Sequence, residues 1–143
     1  MPRTAHVLKE KTPGELHLIA IASHEADYRI SWLVNSSLKI QLRKVSDHLV
    51  SVDAGAEEKS GFPCFHYSDQ DTLLEYYLVG NHSVKGYLLP KFKNIDYFLH
   101  IVGETHADFL KNIVSRLKTA PGIITAFEVV LTEPRLIQLF QFM

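Results

Sequence analysis

Residues 99–131, LHIVGETHADFLKNIVSRLKTAPGIITAFEVVL, contain a strand, a helix and a second strand in one continuous run. The helix is the clearest element in the chain. Thr105 is placed to cap it, with Asp108 three residues on in the capping-box position. Phe109, Leu110, Ile113, Val114 and Leu117 repeat at helical spacing and make one apolar face. Arg116 and Lys118 fall in the last turn, where cations suit the carbonyl end, and Pro121-Gly122 prevents continuation. The spacing predicts a helix over 105–119, a strand over 96–103 before it and a strand over 123–131 after it.

The same order occurs upstream. LHLIAIA (16–22) reads as a central strand, and Ser23 offers a capping hydroxyl. A helix is predicted over 24–36, with Glu25 and Asp27 in its first turn and Ala26, Ile30 and Leu33 on one face. Tyr28 and Trp32 are four apart and are expected to pack beside that face. LKIQLRKV (38–45) alternates as a half-buried strand. Aligning 18–28 with 99–109 pairs Leu18 with Leu99, Ala26 with Ala107, Asp27 with Asp108 and Tyr28 with Phe109, which is compatible with an internal repeat.

Between the two β-α-β units, 46–61 is small, acidic and turn-forming, and reads as a long loop. FPCFHY (62–67), LLEYYLVG (73–80) and VKGYLL (84–89) follow as an antiparallel meander. Pro90 must stop the last of these strands or sit at an edge. Each helix has one apolar face to bury. The pattern therefore predicts an α+β two-layer sandwich: a mainly antiparallel sheet with both helices on one face, with a ferredoxin-like arrangement carrying an inserted meander as the candidate topology. The other face is left to water, the long loop or a partner. Residues 1–14 read as a loosely ordered arm before a single domain over 15–143.

Composition narrows the functional classes. Fifteen basic residues nearly cancel sixteen acidic ones among 143, and neither sign forms long runs, which argues against nucleic acid and against an anionic membrane. A single cysteine, Cys64, with no leader or long apolar span, reads as a reduced, cytoplasmic protein. Eight histidines show neither the helical i, i+4 pairing nor the short His-x-His spacing of common metal sites, so no metal and no cofactor is expected. Cys64 and His66 lie two apart on one strand; a small buried thiol is favoured over an activated one.

Two stretches carry a likeness to a known family. LLPKFKNIDYFL (88–99) resembles the signature of an uncharacterised bacterial family named for the pattern Ile-Pro-Glu-x-x-x-Val-Asp-Tyr, and SHEADYRISWLVN (23–35) resembles its upstream Asp-Tyr-Arg segment. TAFE (125–128) fits a later strand of the same family. Pro90, Asp96 and Tyr97 match the pattern outright, Leu89 and Ile95 match it conservatively, and Lys91 stands where the pattern has Glu. That charge reversal argues for a structural or peripheral role at this position. The likeness covers roughly residues 15 to 130 and implies no activity or mechanism.

The two Asp-Tyr pairs mark the candidate ligand-binding residues: Asp27, Arg29, Asp96 and Tyr97. Asp96 is read first as a turn residue that fixes where its strand begins, with Tyr97 and Phe98 alternating so that one ring packs in and the other faces out. Asp27 and Arg29 near a helix start could hold an anion, against a plain solvated helix face with Tyr28 and Trp32 in the core. No catalytic residue is assigned. The expected function is a non-catalytic small-ligand- or protein-binding module, homodimeric, working through the open sheet face and the 46–61 loop. The alternative is a small enzyme using the Asp/Arg/Tyr cluster for acid-base chemistry on an anionic metabolite. The apolar tail RLIQLFQFM is open to two placements, on its own domain or on a second subunit.

Overall fold

The computed structural model describes residues 14–51 and 58–141. The expected arm over 1–14 therefore lies almost wholly outside the described residues. The elements run β1 (Leu16–Ala22), α1 (Asp27–Leu38), β2 (Arg43–Val50), β3 (Ser60–Asp69), β4 (Leu74–Gly80), β5 (His82–Ser83), β6 (Gly86–Tyr87), a 3-10 turn (Pro90–Phe92), β7 (Tyr97–Val102), α2 (Ala107–Lys118), β8 (Thr125–Leu131) and α3 (Pro134–Gln138). One six-stranded sheet has the order β2-β3-β4-β7-β1-β8, with every neighbouring pair antiparallel. It is an α+β fold. β7 and β8 run the same way with β1 between them, joined by α2, while α1 carries the chain from β1 to the far edge at β2. That is the split β-α-β arrangement of a ferredoxin-like sheet, extended by the β2-β3-β4 meander.

Both helices bury one stripe on the same face. Ile30, Leu33, Val34 and Leu38 of α1, with Leu110, Ile113 and Leu117 of α2, pack on Ile19, Ile21, Tyr76, Leu78, Leu99 and Ile101. The central strands have no polar side to offer, and Leu18, Ala20 and Phe98 point to the opposite face. There they meet Leu88, Leu89 and Ile95 from the connection before β7, and Phe140 from the C-terminal tail. The chain thus covers much of its own second face. The tail takes the first of its two placements: Phe140 sits edge-on to Phe98 with ring centroids 5.7 Å apart.

Several local boundaries differ from expectation, each for a physical reason. Helix α1 begins three residues later than predicted, with Ala26 and not Ser23 at its N-cap. The Ser23 hydroxyl is committed elsewhere: it accepts from Glu25 N at 3.1 Å and donates to Gly122 O at 2.7 Å. Thr105 likewise does not cap α2, whose N-cap is His106; Thr105 is buried before the helix. Tyr28 and Trp32 are not in the core. They are 78% and 55% exposed, because the buried stripe of α1 runs through Ile30, Leu33 and Val34, rotated away from positions 28 and 32. Arg29 stacks over the Trp32 ring, 4.9 Å from its centroid.

The strand expected over 38–45 forms instead at Arg43–Val50, and part of the expected 46–61 loop is the pairing of β2 with β3; residues 52–57 of that loop lie outside the described residues. VKGYLL adds no long strand. β5 and β6 are two-residue pieces of a separate ribbon, and Leu88 and Leu89 are buried beneath the sheet. Tyr97 and Phe98 also depart from the expectation of one ring in and one out: both are buried, on opposite faces. Replacing Phe140 with Ala should lower stability to urea by about 3 kcal/mol, since the truncation opens a void against Phe98. A loss under about 1 kcal/mol would mean that the tail adds no cover.

Candidate functional site

The junction between β1 and α1 meets the start of β7 at one end of the sheet. β1 and β4 finish there, β7 starts there, and α1 begins just above. A cleft of about 290 Å³ opens between them, lined by Ser23, His24, Glu25 and Asp27 on one side and by Pro63, Gly80, His82, Asp96 and Tyr97 on the other. Gly80 packs closely here: a Cβ would lie 3.1 Å from the Pro63 ring. Gly122 has φ +100°, and a Cβ there would meet Leu33 Cδ1 at 2.8 Å, so the turn that receives the Ser23 hydroxyl excludes side chains.

Asp96 joins the halves. Its Oδ2 accepts the Ser23 amide at 2.8 Å, and its own amide donates to Ile21 O at 3.0 Å. Oδ1 lies 3.2 Å from His82 Nε2. The carboxylate therefore fixes the start of its strand by gripping the opposite junction rather than its own turn. Tyr97 follows on the helix-facing side, and its hydroxyl donates to Asp27 Oδ1 at 2.8 Å with Glu25 O at 3.2 Å. Burial first, then the hydrogen bond to Asp27 and the negative charge of Asp27 and Asp96, hold the Tyr97 phenol well above its ordinary pKa of 10.0.

Three of the four residues singled out in the sequence, Asp27, Asp96 and Tyr97, thus line one cleft. Arg29 does not. It points along the outside of α1, 3.8 Å from Glu25 and over Trp32. Without it, the described lining includes no lysine or arginine and three carboxylates.

Sequence reasoning missed Asn81. Fully buried, its side-chain amide donates to Phe92 O and Ile95 O at 2.9 Å each, while its oxygen accepts Leu89 N at 2.8 Å. Its main chain pairs with Asp96 O and Leu88 N, both at 2.9 Å. One side chain therefore folds the whole 88–95 excursion and aims Asp96. In the sequence it is one polar residue of GNHS (80–83), between two of the predicted strands, and nothing local marks its partners. His82, also unassigned, becomes a neighbour of Asp96 only through this excursion.

Elsewhere, Cys64 and His66 share a strand face, but His66 Nε2 pairs with Glu75 Oε1 at 2.5 Å. Burial pushes the Cys64 thiol up to about 11, away from thiolate formation. Hydrogen bonds from Ser68 and His66 draw the Glu75 carboxyl below its ordinary range. Among the described residues, no group of three or more metal-ligating side chains converges, and no helix is long and apolar enough to cross a membrane. No protein-family model, curated protein or solved structure matches this chain.

Asn81→Ala should cost on the order of 3 kcal/mol in urea denaturation, because it strands buried amide and carbonyl groups of residues 89, 92 and 95. Wild-type stability would refute this role. A second test concerns Tyr97. A phenol whose pKa rises on folding stabilises in full below its unfolded value of 10.0, and that contribution fades as the pH climbs above it. Tyr76 and Tyr77 are shifted in the same direction by burial, so Tyr97→Phe should flatten, not abolish, the alkaline loss of stability. An alkaline arm identical to that of the wild type would show that the phenol is not held.

Proposed function

We propose that this protein is a non-catalytic binding module whose small ligand sits in the cleft between Asp27 and Asp96 and presents a cationic group, an amine or a guanidinium. The reading is carried by one observation: the lining joins Glu25, Asp27 and Asp96 to a neutral, proton-donating Tyr97, with two histidines, His24 and His82, but no lysine or arginine among its described residues. Carboxylates at such a mouth favour a cation and repel an anion. Acid-base catalysis on an anionic metabolite is the weaker reading. Its arginine lies outside the cleft, and its tyrosine is a poor base near neutral pH because burial and Asp27 hold its proton.

The family likeness fits the same place. Asp96 and Tyr97 line the cleft, whereas Lys91, which breaks the pattern, lies outside it on the 3-10 turn. A reducing, cytoplasmic setting accords with the buried single thiol of Cys64. The working unit is a pair of identical chains. Since the tail lies on its own sheet, the contact between chains belongs to another surface.

Thermal denaturation with small primary amines, guanidinium compounds and dicarboxylates tests the ligand class, since a ligand that binds only the folded form raises the midpoint. Amines should raise the midpoint of the wild type and leave Asp96→Asn and Asp27→Asn unmoved. Both variants keep an oxygen acceptor for Ser23 N or for the Tyr97 hydroxyl while losing charge. Stabilisation by dicarboxylates alone would overturn the proposal.

A further inference from the structure

The two edges of the sheet are unlike. β2 is blunted: its pairing with β3 slips between Val45 and His48, and it carries Arg43, Lys44 and Asp47, with Lys44 Nζ 3.2 Å from Asp47 Oδ1. Bulges and charges of this kind keep an edge from pairing with another chain. β8 has none of these guards. It pairs with β1 in unbroken register over seven residues and carries one charge, Glu128. Beside it, apolar side chains face outward: Ile124 is 59% exposed, Val130 46% and Phe127 38%.

The free backbone groups can be assigned. Ala22 O faces β8, where it accepts the Ile124 amide at 2.8 Å. By alternation Ala20 and Leu18 also face β8, and their partners Phe127 and Val129 turn their N–H and C=O groups inward. Ala126, Glu128 and Val130 therefore present theirs outward. We infer that β8 is the homodimer edge: two copies pair their β8 strands antiparallel about a two-fold axis through Phe127, joining two sheets into one.

This register follows from the side chains. Centring the axis on Glu128 would set like charges directly opposite, which is destabilising. Centring it on Phe127 places Glu128 opposite Ala126 of the second copy and makes them a hydrogen-bonded pair. It brings exposed Val130 beside the exposed side chain of Ile124, whose own amide stays on Ala22 O just before the strand, twice. The two Phe127 rings meet at a non-hydrogen-bonded position, where side chains approach most closely. Each exposed apolar side chain of this edge thus finds an apolar partner, and the one charge avoids itself. Such self-complementarity is what a two-fold contact needs. The inference rests on the two-chain reading above and is independent of the ligand cleft.

Light scattering after size exclusion should give the mass of two chains for the wild type and of one chain for Phe127→Lys/Val130→Lys, with unchanged far-ultraviolet circular dichroism. On oxidation, Phe127→Cys should yield a disulfide-linked dimer. Leu49→Cys, exposed on the opposite edge, should not. A monomeric wild type overturns both the pairing and the two-chain reading, and leaves the edge to a strand of a different chain. A dimer that survives the lysine substitutions, or that links through Leu49→Cys in place of Phe127→Cys, overturns only the β8 assignment. Should the lysine variant fail to fold, the cysteine pair decides.

Discussion

The pairing of β1 with β7 at the centre of the sheet is the constraint from which the rest follows. Residues 18–21 and 97–101 are buried on both faces, so neither strand has a side that water can cover. Burying such side chains contributes about 1.5–3 kcal/mol each, but only if both faces are sealed. Helices α1 and α2 seal one. The other has no long helix to call on, and the chain seals it with the 88–95 excursion and the α3 tail.

That second seal also builds the cleft. Laying Leu88, Leu89 and Ile95 beneath the sheet forces the backbone through a compact turn whose polar groups need partners, and Asn81 supplies them from the end of β4. The same turn delivers Asp96 to the junction after β1 and brings His82 beside it. Tyr97, one residue on, then faces the helices and reaches Asp27. Packing and site geometry are therefore one structure: the two aspartates of the cleft are held by a backbone amide, a phenol and an imidazole that apolar burial has placed.

The carboxylates also set the character of the cleft. Ser23 spends its hydroxyl and amide on the two junctions and leaves the first turn of α1 without a side-chain cap. Asp27, at the head of that helix, gains from the dipole and from the Tyr97 hydroxyl. Arg29, on the next part of the turn, is directed outward by the same rotation that exposes Tyr28 and Trp32. The facing of α1 thus separates Arg29 from Asp27 and Asp96, the two aspartates with which the sequence reading grouped it.

Local chemistry was enough to determine α2, β1 and β8, though not the strands of the meander. The apolar period of 109–117, Pro121-Gly122 after it, and the β-branched runs of 16–22 and 123–131 specify helix and strand through forces acting within a few residues, and two β-α-β units dictate an antiparallel sheet with helices on one side. Two aspartates and a tyrosine of the cleft were legible for the same reason: Asp27 stands where β1 passes into α1, and Asp96 and Tyr97 stand where β7 begins. The tertiary structure alone decided what depends on distant partners. Asn81 holds residues 8 to 14 positions away, Ser23 prefers Gly122 and Asp96 to its own helix, and the rotation of α1 buries Ile30 and Val34 instead of Trp32. Hydrogen bonds and packing across the sheet outweigh capping and spacing preferences worth about 1 kcal/mol or less, which is why those positions could not be read in sequence order.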